Sequence, residues 1–538
     1  MSLARNTAVI GGLTLISRLF GFARDLALAA ALGAGPVADA FFAALRFPNL
    51  FRRLFAEGAF SQAFVPVYSK TLAAEGEAAA NRLASEALSV LLLIVGLLSA
   101  VAIVGMNWIN SVLFAGYIDD PQTFRLATLL TQLAMPYLVA MSAATLFSGV
   151  LNAHGRFFAA AAAPILFNLC QLFALWLVHD TPEYAALAAI VAVSISGLLQ
   201  ALWVWWGAHR SGTKLGFPFP RLTPAVKRLF VLAAPAAIAG GALQINVMVS
   251  QALASFERGA ITYLNVADRL YQLPLGLIGI AVGVAMLPRL SRLVQEGDEP
   301  GARGALDEAV ALSMAFTLPA AAAMLAIPFY LIDGLYSRGA FTEVDAQNAA
   351  LALIHYGWGV PAFVLAKIYA PAFFAREDTK APMRYAITSM VLNIVIGAAL
   401  FFGLRAMGVP GFQGLAIATS MAAWVNVFLM IRSLVARNAY RPTPSAFARL
   451  LRIGVASAFL FAVLFFAGAN REAIEASLGS KEAAIALLIL GGGTMYFVVA
   501  FLVRAVTLAE VRAAFKRERG PAANETGGGG GLPPGLDG

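Results

Sequence analysis

Fourteen apolar runs, each close to the length needed to cross a bilayer, constrain this chain more than any other feature. They lie at 8-32, 38-66, 84-107, 126-150, 158-179, 184-207, 228-254, 262-288, 306-331, 347-371, 384-403, 410-433, 449-468 and 483-503. A hydrocarbon core about 30 Å thick takes roughly 20 helical residues to span. Every backbone N–H and C=O inside that layer must also find its partner within the protein. The runs therefore predict an all-α polytopic membrane protein with 14 transmembrane helices. Composition agrees, because 60% of the chain is hydrophobic and 12% charged, whereas soluble domains carry about a quarter charged residues. The single cysteine, Cys170, rules out a disulfide framework or a cysteine metal cluster. The first run holds Arg18 and Arg24 and no convincing cleavage site, so it does not read as a secretory signal.

Basic residues alternate between the connections. With those at run edges assigned to the neighbouring loop, 25 fall on the N-terminal, even-numbered and C-terminal segments against 6 on the others. The positive-inside rule then predicts an inner-membrane protein with both termini cytoplasmic. The first twelve runs form two units of six. Pro66 pairs with Pro288, Arg82 and Glu86 with Arg303 and Asp307, Pro136 with Pro361, and Asn168 with Asn393, at offsets of 222, 221, 225 and 225. Two pseudo-symmetric six-helix lobes are expected, 1-210 and 211-440, with a substrate site between them near the midplane. Two additional helices follow in 441-510. The Gly-rich segment 511-538 has the composition of a flexible tail.

The segment from Ile16 to Pro66 breaks the apolar pattern with five arginines (Arg18, Arg24, Arg46, Arg52 and Arg53) and three acids (Asp25, Asp39 and Glu57). Ionisable side chains at membrane depth mark a bundle interior or a water-filled cavity. On a helix, Arg18 and Asp25 share one strip while Ser17 and Arg24 share the next. A continuous second span aligns Asp39, Arg46, Asn49, Arg53 and Glu57, although Pro48 threatens that phase. In the second unit the comparable cluster is Asp268, Arg269 and Gln272, and Lys367 is the other intramembrane cation. Two readings stand side by side for these charges. The acids fit structural ion pairs, whereas the arginines outnumber them and call for an anionic visitor; Arg46 and Arg53 fit snorkelling equally well. No catalytic constellation is present: His154, His179, His209 and His355 are scattered, and no P-loop occurs. The expectation is a transporter without enzyme activity or cofactor.

SRLFGFARD (17 to 25), ADAFFAALRFPNLFRRLFAEGAFSQAFVPVY (38 to 68) and ADRLYQLPLGLIGIAVGVAMLP (267 to 288) resemble the MurJ (MviN) family of lipid II flippases. The resemblance implies two six-span lobes around a V-shaped cavity and two extra helices forming a groove for a polyprenyl tail. It implies essential cavity arginines at Arg18, Arg24, Arg52 and Arg269 and a cavity acid at Asp39, with Ser17 and Asn49 beside them. It favours Arg52 where the helical wheel favours Arg53. Gln272 stands where some members carry Glu, and no acid lies between Leu229 and Ser255, where sodium-binding members place one. The implied partners are lipid II, membrane lipids and cell-wall synthesis or division proteins, with no nucleic acid. Two rival functions fit the same residues less fully: export of another polyprenyl-linked glycan, or a non-transporting cell-wall scaffold.

Overall fold

The computed structural model describes residues 3–51, 59–276 and 280–506. The first half of the chain folds into α1 (Leu3–Leu32), α2 (Pro36–Phe51), α3 (Ala59–Glu75), α4 (Glu77–Leu113), α5 (Pro121–Ala134), α6 (Pro136–Ala153), α7 (Phe158–Leu177) and α8 (Pro182–Arg210). The second half runs through α9 (Pro224–Ala254), α10 (Ala260–Pro274), α11 (Ile280–Gln295), α12 (Glu299–Ala326), α13 (Pro328–Tyr336), α14 (Glu343–Gly357), α15 (Val360–Phe374), α16 (Lys380–Ala406) and α17 (Phe412–Ala436). The chain ends in α18 (Pro444–Ala469), α19 (Arg471–Leu478) and α20 (Lys481–Leu502). Strands are absent among the described residues.

Ten helical segments are long and apolar enough to cross a membrane among the described residues, fewer than the fourteen expected. Expected spans 1, 2, 7 and 8 are not among the ten. Span 1 is diluted by Arg18, Arg24 and Asp25, and spans 2 and 8 each include residues outside the description. Proline sets several breaks, because it lacks the N–H a helix interior needs. Met135 and Pro136 separate α5 from α6, and Gly359 with Pro361 separates α14 from α15. Pro48, expected to reset the second span, lies inside α2, which continues to Phe51.

The internal repeat is visible in the packing. In the first half α2 packs on α5, α3 on α4 and α6, and α7 on α8; in the second half α10 packs on α14, α11 on α12 and α15, and α16 on α17. Even the linkers repeat. Thr223, which caps α9, donates from Oγ1 to Glu86 at 2.8 Å, and Thr443, which caps α18, donates to Asp307 at 2.7 Å. α18 and α20 pack together, α18 against α12 and α20 against α13. Asp333 of α13 pairs with Arg471 at 2.5 Å, fastening the connection between them.

Buried apolar side chains reveal where the halves meet. One cluster takes in Leu32, Phe114 and Ala185 from the first half with Ala260, Tyr336 and Phe412 from the second. All of these flank odd-numbered connections. At the even-numbered connections the core is split, with Tyr68, Val150 and Ala208 in one cluster and Leu290, Phe373 and Tyr440 in another. The halves are thus joined at the charge-poor end, whereas at the basic end their cores are split and the start of α9, with Val226 and Leu229, packs into the first half's cluster.

Candidate functional site

α1 packs against α7, and its Asp25 reaches Arg269 of α10. The Asp25 carboxylate lies between two guanidinium groups from different halves. Arg24 donates to Oδ1 from Nη2 at 2.6 Å and from Nε at 3.1 Å, while Arg269 of α10 approaches Oδ2 with Nε at 3.1 Å. Arg24 also donates from Nη1 to Asn168 Oδ1 at 2.9 Å, and its guanidinium sits 5.2 Å from the centre of the Phe167 ring. Asn168 in turn donates from Nδ2 to the Ser17 carbonyl at 2.9 Å, so α7 orients the arginine by holding α1 on both sides.

These groups line a cavity of ≈ 370 Å³ shared by both halves, to which Arg46 and Asn49 of α2 also contribute. Asp268, bonded to Gln272 one helical turn on, lies in the same wall. Side-chain exposure separates the two cations: Arg24 retains 11% and Arg269 43%, with Asp25 at 13%. Arg269 is therefore the more accessible of Asp25's two partners. Charge-assisted bonds of this kind are short and strong, yet burial of the ions offsets much of that gain. A ligand that carries more negative charge than one carboxylate can compete for both arginines.

The expected site residues do not all meet in one place. Arg24, Asn49 and Arg269 line the cavity. Ser17 enters through its carbonyl. Arg18 is exposed and lies outside that lining; its Nη1 stands 3.0 Å from where a Cβ on Gly276 would be, so the glycine permits the approach. Arg52, with Arg53 and Glu57, falls outside the described residues.

Asp39, expected among the cavity cations, is instead buried at the joined end with 1% exposure. Its carboxylate accepts from the Gly259 N–H at 2.6 Å, the Thr262 N–H at 2.8 Å and the Thr262 hydroxyl at 2.6 Å. The two N–H groups are free donors at the start of α10, which a helix cannot satisfy internally. The helix dipole favours an anion at that end. Gly259, at φ 78°, turns the chain into this helix in a conformation that only glycine adopts without strain. Asp39 therefore caps a helix of the opposite half.

Sequence reasoning missed Asn168 as an arginine holder, although its place in the repeat marked it. Gln200, Gln244, Gln251 and Asn265, polar side chains in apolar runs that also line the cavity, were missed as well.

Comparison with known proteins shows the family of the chain. The family model "Lipid II flippase MurJ" matches residues 28–478. A probable lipid II flippase MurJ of Rhizobium tropici is 40% identical over 532 residues, covering 98% of this chain and 99% of the relative. The lipid II flippase MurJ of Burkholderia cenocepacia is 34% identical over 449 residues, 82% of this chain and 86% of its own. Among solved structures, an inward closed conformation of lipid II flippase MurJ superposes with TM-score 0.76 at 24% identity, covering 92% of this chain and 99% of that one. An inward-facing MATE family transporter gives 0.65 at 14% identity, covering 80% and 98%. With the family model spanning most of its length and relatives matched almost end to end, the chain belongs to the lipid II flippase MurJ family.

Proposed function

We propose that this protein moves lipid II, the undecaprenyl-diphosphate-linked disaccharide-pentapeptide, from the cytoplasmic to the periplasmic leaflet by alternating access. One observation carries the reading: a cavity with arginines from both halves lies between cores that are joined at one end and split at the basic end. By the positive-inside rule the basic end is cytoplasmic, where lipid-linked precursors are assembled. The units 1-210 and 211-440 are the rocking lobes. The helices of 441-510 supply the groove for the polyprenyl tail, which stays in lipid. Segment 511-538 lies outside the described residues.

The chemistry follows from Asp25. In the structure its carboxylate holds Arg24 and Arg269 together. A diphosphate offers more charge and several acceptor oxygens suited to the planar guanidinium fork, so it displaces the carboxylate and takes both arginines. Closure at the basic end then requires the Asp39 cap on α10 to open at the other. Once the cargo leaves, Asp25 returns to the arginines and resets the site. Export of the cargo's negative charge from a negative cytoplasm favours the outward direction, by about 2.3 kcal/mol per elementary charge per 100 mV.

The test is reconstitution of the purified protein in vesicles with lipid II in the inner leaflet. Outer-leaflet exposure that depends on Arg24 and Arg269 supports the proposal; exposure at the protein-free rate contradicts it.

A further inference from the structure

The turn that follows α13 is fastened to α1. The Ala340 N–H donates to the Ala30 carbonyl at 2.7 Å, and Gly339 lies so close to that carbonyl that no Cβ would fit beside it. This fastening sets Tyr336, the last residue of α13, against α1, where its ring meets the Phe22 ring edge to face with centres 6.4 Å apart. Phe22 and Asp25 are three residues apart on α1 and so share a face.

Tyr336 is 1% exposed, and its hydroxyl has no hydrogen-bond partner among the described residues. A buried hydroxyl left unserved is rare in native interiors, because it gives up water and receives nothing in return. Two charged groups reach this one electrostatically, the Asp25 carboxylate and the Arg269 guanidinium. They are the ion pair that joins the halves at the cavity. When a diphosphate displaces Asp25, the carboxylate loses both cations while still inside the protein. A buried charge stripped of its partners is costly. A phenol has one O–H to donate, and its bond to a carboxylate is stronger than one between neutral groups.

We propose that the Tyr336 hydroxyl receives the Asp25 carboxylate when cargo takes Arg24 and Arg269. The proposal rests on the exchange at Asp25 described under the proposed function. Tyr336 is then a positioning residue: it acts through Asp25, lowers the cost of displacement in the loaded state, and contributes nothing while both arginines hold the carboxylate. Its hydroxyl thereby sets how strong an anion must be to win the arginines.

The experiment measures the affinity of the purified full-length protein in nanodiscs for undecaprenyl diphosphate and undecaprenyl monophosphate, with thermal unfolding alongside. Tyr336→Phe keeps the ring and removes only the hydroxyl. It is expected to unfold at the wild-type midpoint and to bind the diphosphate about tenfold more weakly, the loss of one bond to a charged group. In an Asp25→Asn background, where no carboxylate needs a place, the same change should leave affinity unaltered, a non-additivity that a merely structural role does not produce. Wild-type affinity in Tyr336→Phe, an equal loss in both backgrounds, or an earlier unfolding midpoint would each overturn the proposal. Equal affinities for the two lipids in wild type would remove the exchange itself and the proposal with it, whereas a wild-type preference kept in full by Tyr336→Phe sinks the role of the hydroxyl alone.

Discussion

Asp25 and Asp39 lie fourteen residues apart, and both reach from the first half of the chain to α10 in the second. Their partners differ in kind. Asp25 is shared by two cationic side chains that line a cavity, and Arg269 keeps 43% of its side-chain surface exposed. Asp39 is held by two backbone N–H groups and one hydroxyl, fixed in space by the helix that bears them, with 1% of its surface exposed. Partners that are charged and accessible can be exchanged for a stronger anion. Partners that are neutral and built into the backbone can only be kept or broken. The same residue type thus serves as a placeholder in one setting and as a latch in the other.

The largest effect should come from removing the cations that Asp25 shares. Arg24→Ala and Arg269→Ala are expected to abolish lipid II exposure in vesicles and support of growth while protein levels stay near normal. Arg18→Ala and Arg52→Ala should do the same. Lysine at these sites should restore only part of the activity, because an ammonium keeps the charge but loses the fork. Full activity in all four alanine variants would leave the placeholder with nothing to hold the place of.

Asp25→Asn probes the placeholder itself. Without the competing carboxylate the site should release its cargo slowly, so turnover is expected to fall about tenfold, a difference of ~1.4 kcal/mol. Unchanged turnover would mean that Asp25 takes no part in reset.

Asp39→Asn sharpens the other side of the comparison, because it presents an amide where a carboxylate faced three donors. Loss of satisfied buried donors costs about 1–3 kcal/mol, enough to open the joined end more often. A single cysteine placed at Ala260, fully buried in the first turn of α10, should then react faster with a water-soluble maleimide. Equal labelling with and without the Asp39 change would show that the latch lies elsewhere.

The smallest effects belong to the linker caps, which touch neither aspartate. Thr223→Ala and Thr443→Ala each remove a helix cap and a bond to an acid, and should cost about 1 kcal/mol in stability. Transport should remain near normal. A transport defect in either would make the linkers part of the rocking movement.

How far the sequence reveals this arrangement depends on the period of each signal. Apolar runs and the charge alternation gave the all-helical membrane fold, since bilayer thickness and backbone hydrogen bonding leave few choices. Arg24 and Arg269 were placed in a cavity because charge in an apolar run needs a polar surrounding, and Asn49 through the helical face it shares with Arg46. Asp39 was misplaced for the same reason: a lone acid in a span looks like a cavity residue until the helix end it caps is seen. That end arrives from a residue 220 positions away, beyond the reach of any local pattern. Asn168 was visible only as a repeat match, because an uncharged amide disturbs hydropathy little.

The most direct test of the exchange between Asp25 and the cargo is an affinity comparison in detergent or nanodiscs. Undecaprenyl diphosphate and undecaprenyl monophosphate share the tail and differ only in the anion. Wild type is expected to bind the diphosphate more tightly, Asp25→Asn to bind it more tightly still, and Arg24→Ala to bind the two lipids alike. Equal affinities in wild type, or a preference that survives Arg24→Ala, would contradict the account.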